Sequence, residues 1–130
     1  MKFNILVNEG PYTHQASDSA YQFAKAAITA GHEVIRVFFY HDGVYNANRL
    51  SAPSVDDRDV VNQWVRLADE YEIDLAVCIT ASLKRGILSD QSALRYGKNV
   101  DNIEKKFQVA GVGYFVEGSI IADRTIVFGD

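Results

Sequence analysis

The sequence predicts a three-layer α/β fold with a mainly parallel sheet of about five strands, in one domain that spans residues 1–130. Short runs rich in β-branched and aromatic residues alternate along the chain with amphipathic segments long enough to form crossover helices. One such run, residues 34–40, is almost continuously apolar, which is typical of a strand covered on both faces. No repeat, low-complexity run or linker indicates a second domain.

In the first half of the chain, the pattern predicts two strands and two helices. A strand over residues 3–7 ends at the turn residues 8–11, and a helix follows over about 16–30, with Gly31 at its C-cap. The second strand, at 34–40, leads into residues 41–54, which are polar and predict a loop. Ser54 and Asp57 resemble a capping box and predict the start of the next helix. Its predicted buried face consists of Val60, Val61, Trp64, Leu67, Ala68 and Tyr71.

The second half predicts three further strands. Residues 73–79 form the third strand, a short helix covers about 81–88, and the polar stretch 89–106 is a loop with some helix. A weak strand at 107–110 and a last strand at 124–128 enclose a helix. The apolar face of that helix is predicted to be Val112, Phe115, Val116, Ser119 and Ile120.

Composition excludes several classes of protein. The chain has 17 acidic and 13 basic residues and a net charge of −4, which argues against a nucleic-acid-binding surface. No stretch approaches the ~20 apolar residues of a membrane span, and the first apolar run is too short for a signal peptide, so we expect a cytoplasmic protein. A single cysteine excludes internal disulfides and multi-cysteine zinc or iron–sulfur sites.

The predicted sheet also indicates where chemistry belongs, because ligands collect outside the carboxyl ends of parallel strands. Residues 8–14, 41–49 and 78–85 converge at that edge. No phosphate-binding loop, dinucleotide fingerprint or hydroxyl-rich flavin loop is present, and Cys78 stands where a phospho-receiver domain would carry an aspartate. We therefore expect no bound cofactor.

Cys78 is the strongest candidate for a reactive group. Strand alternation places it on one face with Asp74 and Ala76, near the end of the third strand. The free N–H groups of the helix that follows favour a thiolate, and Lys84 and Arg85 add positive charge. The alternative is that Cys78 is a small apolar residue of the core.

The remaining polar residues of this edge give weaker predictions. His14, His32 and His41 match no metal-ligand spacing, so we expect no metal site. His14 or His41 could pair with the thiol, and Glu9 with Asp42 could form a carboxylate pair. Solvated loop residues are the alternative in each case.

Several stretches together resemble the DsrE/TusD family of sulfur-relay proteins, over essentially the whole chain. The most specific is Phe-Phe-Tyr-x-x-Gly-Val-x-Asn at residues 38–46, followed by Cys78 about thirty residues later. Asn-Glu-Gly-Pro-Tyr at residues 8–12 and His-Gln-Ala-Ser-Asp-Ser-Ala at 14–20 are closer to DsrE than to TusD. The other stretches are Leu-Lys-Arg-Gly-Ile at 83–87, Gly-Val-Gly at 111–113 and Val-Phe-Gly-Asp at 127–130.

The resemblance implies a cytoplasmic sulfurtransferase whose Cys78 carries sulfur as a persulfide. It also implies a heterohexamer with DsrF/TusC-like and DsrH/TusB-like subunits, a TusA-like sulfur donor and a DsrC/TusE-like acceptor. Glu9, Tyr12, His14 and Lys84 are candidates for positioning the persulfide, which we expect to be reached through a cleft between residues 8–14 and 41–49.

The resemblance leaves the pathway open between dissimilatory sulfur oxidation, as in DsrE-type systems, and the 2-thiouridine of tRNA, as in TusD-type systems. Three other functions remain as alternatives: a non-catalytic scaffold subunit, a small-molecule-binding module, and a redox sensor that uses the lone thiol.

Overall fold

Five parallel strands form one sheet in the computed structural model, which describes residues 1–129. The strand order is β4-β3-β2-β1-β5, and every neighbouring pair is parallel. The predicted α/β fold class is confirmed. The elements in chain order are β1 (Lys2–Val7), α1 (Ala16–Thr29), β2 (Glu33–Phe39), a 3-10 helix (His41–Ala47), α2 (Val60–Tyr71), β3 (Asp74–Cys78), α3 (Ile79–Lys84), α4 (Asp90–Arg95), β4 (Phe107–Ala110), α5 (Val112–Ile121) and β5 (Arg124–Phe128).

Helices cover both faces of the sheet. From β1 to β4, each new strand is added on the same side of the preceding strand, so right-handed crossovers place α1 and α2 on one face of the sheet. The connection from β4 runs back across the sheet to β5, which lies beyond β1, and this places α5 on the other face. Ring contacts agree with this arrangement. The Trp64 ring of α2 meets Phe39 edge-to-face with centroids 5.3 Å apart, and Phe115 of α5 meets Phe38 with centroids 5.9 Å apart.

The buried face of α2 agrees with the sequence pattern, except at its last residue. Val61, Trp64, Leu67 and Ala68 are buried, as predicted. Tyr71 was expected in the core, but 46% of it is exposed. The helix ends there, because Glu72 takes a left-handed conformation that turns the chain towards β3.

The segment predicted as a polar loop, residues 41–54, differs from the expectation in its first half. Residues 41–47 form the 3-10 helix, in which Val44, Asn46 and Ala47 are buried. The helix predicted to start at Ser54 also begins later in the chain. Ser54 donates a hydrogen bond to Asp57, but α2 begins six residues after Ser54, with Asp59 accepting from the Asn62 backbone N–H.

The helix α5 is present where the sequence predicts it, but its predicted buried face is correct only at Phe115 and Ser119, which face the sheet. Val112, Val116 and Ile120 are exposed, and Ile120 is 80% exposed. Hydrogen bonds to the sheet decide which side packs. The Asn4 side-chain amide donates to the Phe115 carbonyl and to the Ser119 hydroxyl, at 3.3 and 3.2 Å.

A close approach at Gly118 holds α5 in that orientation. A Cβ at this position would lie 2.8 Å from Oδ1 of Asn4, so a larger residue would push the helix away from the sheet. The apolar side of the helix therefore faces outwards. Within residues 1–129, no helix combines the length and the apolar composition that crossing a bilayer requires.

Candidate functional site

The carboxyl edge of the sheet is covered by the 3-10 helix. The Tyr40 N–H donates to the Val7 carbonyl at 2.9 Å, which carries the chain from β2 across the end of β1. Gly43 then lies directly on that strand end, since a Cβ there would be 2.1 Å from the Val7 carbonyl oxygen. Only glycine allows this packing, and the 3-10 helix is thereby held against the edge.

Asn46 fixes the 3-10 helix to its surroundings from within. Its side chain is fully buried, and its Oδ1 accepts from the Ser17 hydroxyl of α1 at 2.6 Å. Its Nδ2 donates to the Gly43 carbonyl at 2.9 Å and to the Glu9 carbonyl at 3.4 Å. One amide therefore joins the 3-10 helix, α1 and the loop after β1.

Cys78 is the last residue of β3 and directly precedes α3. Its backbone is extended, with φ −68° and ψ 123°, so strand alternation continues to this residue and places its side chain on the face of Asp74, which carries α5. The thiol is free, and only 3% of the residue is exposed. A reacting group therefore cannot reach the sulfur without movement of the surrounding structure.

The segment positioned to move is the 3-10 helix, which packs against both β3 and α3, the two elements that meet at Cys78. An ion pair ties it down. Nε of Arg85, the residue after α3, lies 2.7 Å from Oδ1 of Asp42. Arg85 is itself held by a hydrogen bond of 3.1 Å from Nη1 to the Ala81 carbonyl.

A cavity of about 300 Å³ lies on the outer side of this cover, between the loop after β1 and the 3-10 helix. Tyr12 and His14 line it together with Asp42 and Tyr45, whereas Cys78 is not among the lining residues. Glu9 lies beside His14, with Oε2 3.8 Å from Nδ1. The expected cleft between residues 8–14 and 41–49 is therefore present, but it stops short of the thiol.

Backbone strain is concentrated at the same edge. Among residues 1–129, three non-glycine residues have a positive φ, and two of them, Tyr12 (φ 73°) and His41 (φ 48°), lie here. The Tyr12 hydroxyl donates to the Arg58 carbonyl at 2.9 Å and accepts from the Val60 N–H at 3.2 Å, which fastens the loop to the start of α2. The His41 ring lies against Tyr40, with centroids 4.2 Å apart.

The structure brings three of the predicted site residues together and separates two. Tyr12 and His14 line the cavity described above, and Glu9 lies beside His14. Cys78 is buried at the junction of β3 and α3, the two elements that the 3-10 helix contacts. Lys84, at the end of α3, is exposed and lines a different groove.

The sequence pattern does not indicate two features of the site. The first is the Asp42–Arg85 pair, which joins residues 43 positions apart, so no local pattern indicates it. Of the two carboxylates considered as a pair, Glu9 approaches His14 and Asp42 approaches Arg85. The second is the buried Ser82 hydroxyl of α3, which has no hydrogen-bond partner within residues 1–129.

No set of three or more histidine, cysteine, aspartate or glutamate side chains within residues 1–129 is arranged to hold a metal ion.

Comparisons with known proteins cover the whole chain. The family model described as "DsrE/DsrF-like family" matches residues 1–128. A curated protein of Allochromatium vinosum, described as "Putative sulfurtransferase DsrE", is 58% identical over 130 residues, which is the full length of both chains. The crystal structure of the ychN protein from E. coli has a TM-score of 0.78 at 16% identity, covering 98% of this chain and 99% of that one, and shows the same fold.

Proposed function

The chain belongs to the DsrE/DsrF-like family, and we propose that it is a sulfurtransferase that carries sulfur on Cys78 as a persulfide. Identity of 58% over the full length to a curated protein named as a sulfurtransferase supports sulfur transfer as the reaction. The observation that carries the assignment to Cys78 is its position. The only thiol of the chain ends β3, at the edge of the sheet where reacting groups collect.

The first step of the proposed reaction loads the cysteine. The Cys78 thiolate attacks the outer sulfur of a donor persulfide, R–S–SH. A new S–S bond forms at Cys78, the S–S bond of the donor breaks, and the donor leaves as the thiolate R–S⁻. The product is Cys78–S–SH. The outer sulfur keeps its oxidation state, so the step needs no oxidant or reductant.

The second step returns the enzyme to its starting form. A thiolate of the acceptor attacks the outer sulfur of Cys78–S–SH, the S–S bond at Cys78 breaks, and Cys78 leaves as a thiolate while the acceptor becomes the persulfide. The fact that Cys78 is the only cysteine of the chain favours transfer of the outer sulfur to the acceptor. A second cysteine nearby could attack the inner sulfur, close an internal disulfide and release sulfide, and this chain has no other cysteine.

Burial of Cys78 makes local opening part of the proposed cycle. Since only 3% of the residue is exposed, donor and acceptor reach the sulfur when the 3-10 helix moves and the Asp42–Arg85 pair separates. Tyr12 and His14 line the cavity outside that helix, and Glu9 adjoins it, so these three side chains are positioned to meet an incoming persulfide. Lys84 would contribute a positive charge from the far end of α3.

We further propose that the protein works in the cytoplasm as one subunit of a heterohexamer with DsrF/TusC-like and DsrH/TusB-like chains. The sulfur would arrive from a TusA-like donor and leave on a DsrC/TusE-like acceptor, in dissimilatory sulfur oxidation. The outward apolar side of α5, formed by Val112, Val116, Ile120 and Ile121, supports an assembly, because partner subunits would remove it from water.

Mass spectrometry of the protein after exposure to a persulfidated donor tests the assignment. We expect the wild type to gain one sulfur atom and to pass it to the acceptor, and Cys78→Ser to gain none. A matched control keeps one thiol but moves it. The variant Cys78→Ser/Ser54→Cys places a cysteine in an exposed loop, at a residue outside the carboxyl-edge site. Equal loading and onward transfer by this variant would contradict a specific role of Cys78.

A further inference from the structure

The side chain of Ser82 is a buried polar group that nothing in the resting protein satisfies. Ser82 lies in α3, four residues after Cys78, and only 2% of it is exposed. Its hydroxyl has no hydrogen-bond partner within residues 1–129. Burial of a hydroxyl without a partner costs free energy, so such a group in a native protein requires an explanation.

The hydroxyl also leaves unused the acceptor that a helix normally offers it. A serine within a helix can donate to the carbonyl four residues earlier. Ser119 of α5 does so, at 3.2 Å from the Phe115 carbonyl. The equivalent acceptor for Ser82 is the Cys78 carbonyl, and that bond does not form. The Ser82 hydroxyl therefore remains able to donate to another group.

Helix geometry places this hydroxyl beside the proposed reactive thiol. Cys78 is the N-cap of α3, so its carbonyl accepts the first intrahelical bond, from the N–H of Ser82. Residues four apart share one face of a helix, with Cβ atoms about 5–6 Å apart. Burial agrees with this, because Cys78, Ala81 and Ser82 are buried, whereas Ile79 and Thr80 between them are exposed. Cys78 and Ser82 thus lie on the side of α3 that is turned into the protein.

The resting thiol does not accept from this donor. Sγ of Cys78 makes no hydrogen bond to the start of α3, and the Ser82 hydroxyl reaches no acceptor at all within residues 1–129. A persulfide differs in its reach, because its outer sulfur lies about 2 Å beyond Sγ. Once ionised, the outer sulfur is also a charged acceptor, which forms stronger hydrogen bonds than a neutral group does. The loaded state can therefore supply the acceptor that the resting state lacks.

Other buried polar atoms without partners do not suit this role. In the described part of the chain they are Oδ1 of Asn4, Oδ1 of Asn8 and Nε1 of Trp64. The two amide oxygens only accept hydrogen bonds, so they cannot stabilise a sulfur anion. Trp64 can donate, but it belongs to α2, which covers the face of the sheet opposite to α5 and Cys78. Among these atoms, the Ser82 hydroxyl is the donor on the side of the thiol.

We infer that Ser82 binds the transferred sulfur, by donating a hydrogen bond from its hydroxyl to the outer sulfur of the Cys78 persulfide. The inference rests on the proposed function, because it gives Ser82 a role only in the loaded form. The bond stabilises the persulfide relative to the free thiol, since the thiol does not receive it. Ser82 thereby increases the fraction of the protein that holds sulfur, while Cys78 carries out the exchange.

The test measures the equilibrium of sulfur exchange. Wild type and Ser82→Ala are brought to equilibrium with mixtures of glutathione persulfide and glutathione, and mass spectrometry gives the fraction of each protein that carries one additional sulfur. We expect an exchange constant about tenfold lower for Ser82→Ala, which is the effect of one lost hydrogen bond to a charged acceptor. An equilibrium measurement does not depend on how often the 3-10 helix opens.

A purely structural role of Ser82 would give a different result. Removal of an unpartnered buried hydroxyl breaks no hydrogen bond, so the urea midpoint of unloaded Ser82→Ala should equal or exceed that of the wild type. Ser119→Ala is the control, because the Ser119 hydroxyl accepts from the Asn4 amide at 3.2 Å and its helix packs mainly on β1 and β2. The control should lose stability and keep the wild-type exchange constant.

Failure of the inference and failure of the proposed function give different results. Equal exchange constants for wild type and Ser82→Ala, with both proteins loaded, would overturn the role of Ser82 and leave the function. A urea midpoint of unloaded Ser82→Ala that falls as far as that of Ser119→Ala would also overturn it, because the hydroxyl would then have a partner in the resting protein. A wild type that gains no sulfur would remove the proposed function, and the inference with it.

Discussion

At the scale of single residues, the covering of Cys78 decides how the thiol can react. Exposed thiolates react with any electrophile, whereas a thiol at 3% exposure reacts only from a transiently open state. For the sulfur carrier proposed above, this arrangement would shield the persulfide from other thiols until a partner is present. The Asp42–Arg85 pair is the contact that connects the cover to α3.

We predict that Cys78 is alkylated slowly in the native protein at neutral pH, and that Asp42→Ala accelerates the reaction. An exposed ion pair stabilises by up to ~1 kcal/mol, so its loss should raise the population of the open state, and with it the rate, by up to about fivefold. The measurement is the rate of mass gain with a small alkylating reagent.

Asp101→Ala is the matched control, because it removes a different surface ion pair, with Arg49, and neither residue belongs to the 3-10 helix or to α3. Equal rates in the two variants would show that the 3-10 helix does not control access. Complete protection of the thiol until denaturation would favour the core-packing role of Cys78.

A second prediction concerns the glycine beneath the cover. Gly43→Ala should lower the free energy of unfolding by about 3 kcal/mol, because the new methyl group would overlap the Val7 carbonyl and neither backbone can withdraw. Chemical denaturation measures the change. In contrast, Gly113→Ala in the first turn of α5 meets no atom within 4 Å and should be neutral or stabilise by up to ~1 kcal/mol. Similar losses in both variants would contradict the packing described here.

At the scale of elements, a polar cluster under α5 attaches that helix to the sheet. Arg36 of β2 donates to Asp74 of β3 at 2.9 Å and to the Tyr114 carbonyl at 2.7 Å, and its guanidinium lies 3.5 Å from the centre of the Tyr114 ring. The Tyr114 hydroxyl donates to Asp74. Because Val112, Val116 and Ile120 of this helix are exposed, these directional bonds supplement the contact between Phe115 and Phe38 in holding the helix to the sheet.

This cluster predicts a loss of stability at alkaline pH. Burial, and then the hydrogen bond to Asp74, raise the pKa of Tyr114 above its ordinary value of 10.0. The folded state therefore holds the phenolic proton more tightly than the unfolded state. The stability that results is fully present below pH 10 and is lost as the pH rises through the raised pKa.

Tyr114→Phe should cost about 1 kcal/mol at neutral pH, through the lost hydrogen bonds, and should reduce the dependence of stability on pH above 10. Urea unfolding at a series of pH values compares the two proteins. A variant with an unchanged alkaline slope would refute the assignment of that slope to Tyr114.

The same helix shows what periodicity can and cannot predict. Helical spacing of apolar residues correctly placed a helix between β4 and β5, and the strand pattern gave β4 its exact bounds. The side that packs was not predictable, because Asn4 and Arg36, more than 75 residues away in sequence, select it through hydrogen bonds. Local hydrophobicity alone favours a face that also includes Val112, Val116 and Ile120, which are exposed.

At the scale of the whole molecule, the outward side of α5 predicts association. Ile120→Lys should leave the stability of the isolated chain within about 0.5 kcal/mol, since the residue is already in water. It should nevertheless weaken assembly with the DsrF/TusC-like and DsrH/TusB-like subunits, as measured by sedimentation of the co-expressed chains. Val55→Lys, at a fully exposed loop position, is the control. Unchanged assembly of the Ile120 variant would exclude α5 from the interface.

The sequence predicted the architecture because alternating strands and crossover helices leave few arrangements of a parallel sheet. It also predicted that Cys78 lies near the end of a strand, at the carboxyl edge of the sheet. It did not predict that the 3-10 helix covers this edge. Asn46 is polar and reads as a loop residue, yet it is buried because Ser17 and the Glu9 carbonyl satisfy its amide. Such long-range pairings leave no trace in local composition.

The position of β5 next to β1 has a consequence for how the chain is made. Lys2 and Asp123 exchange hydrogen bonds of 2.7 and 2.8 Å, and β1 pairs along its other side with β2. During synthesis, β1 leaves the ribosome first and β5 last. A nascent chain therefore presents the unpaired flank of β1 until β5 has emerged. We expect translational arrest before residue 124 to leave an aggregation-prone intermediate that binds chaperones.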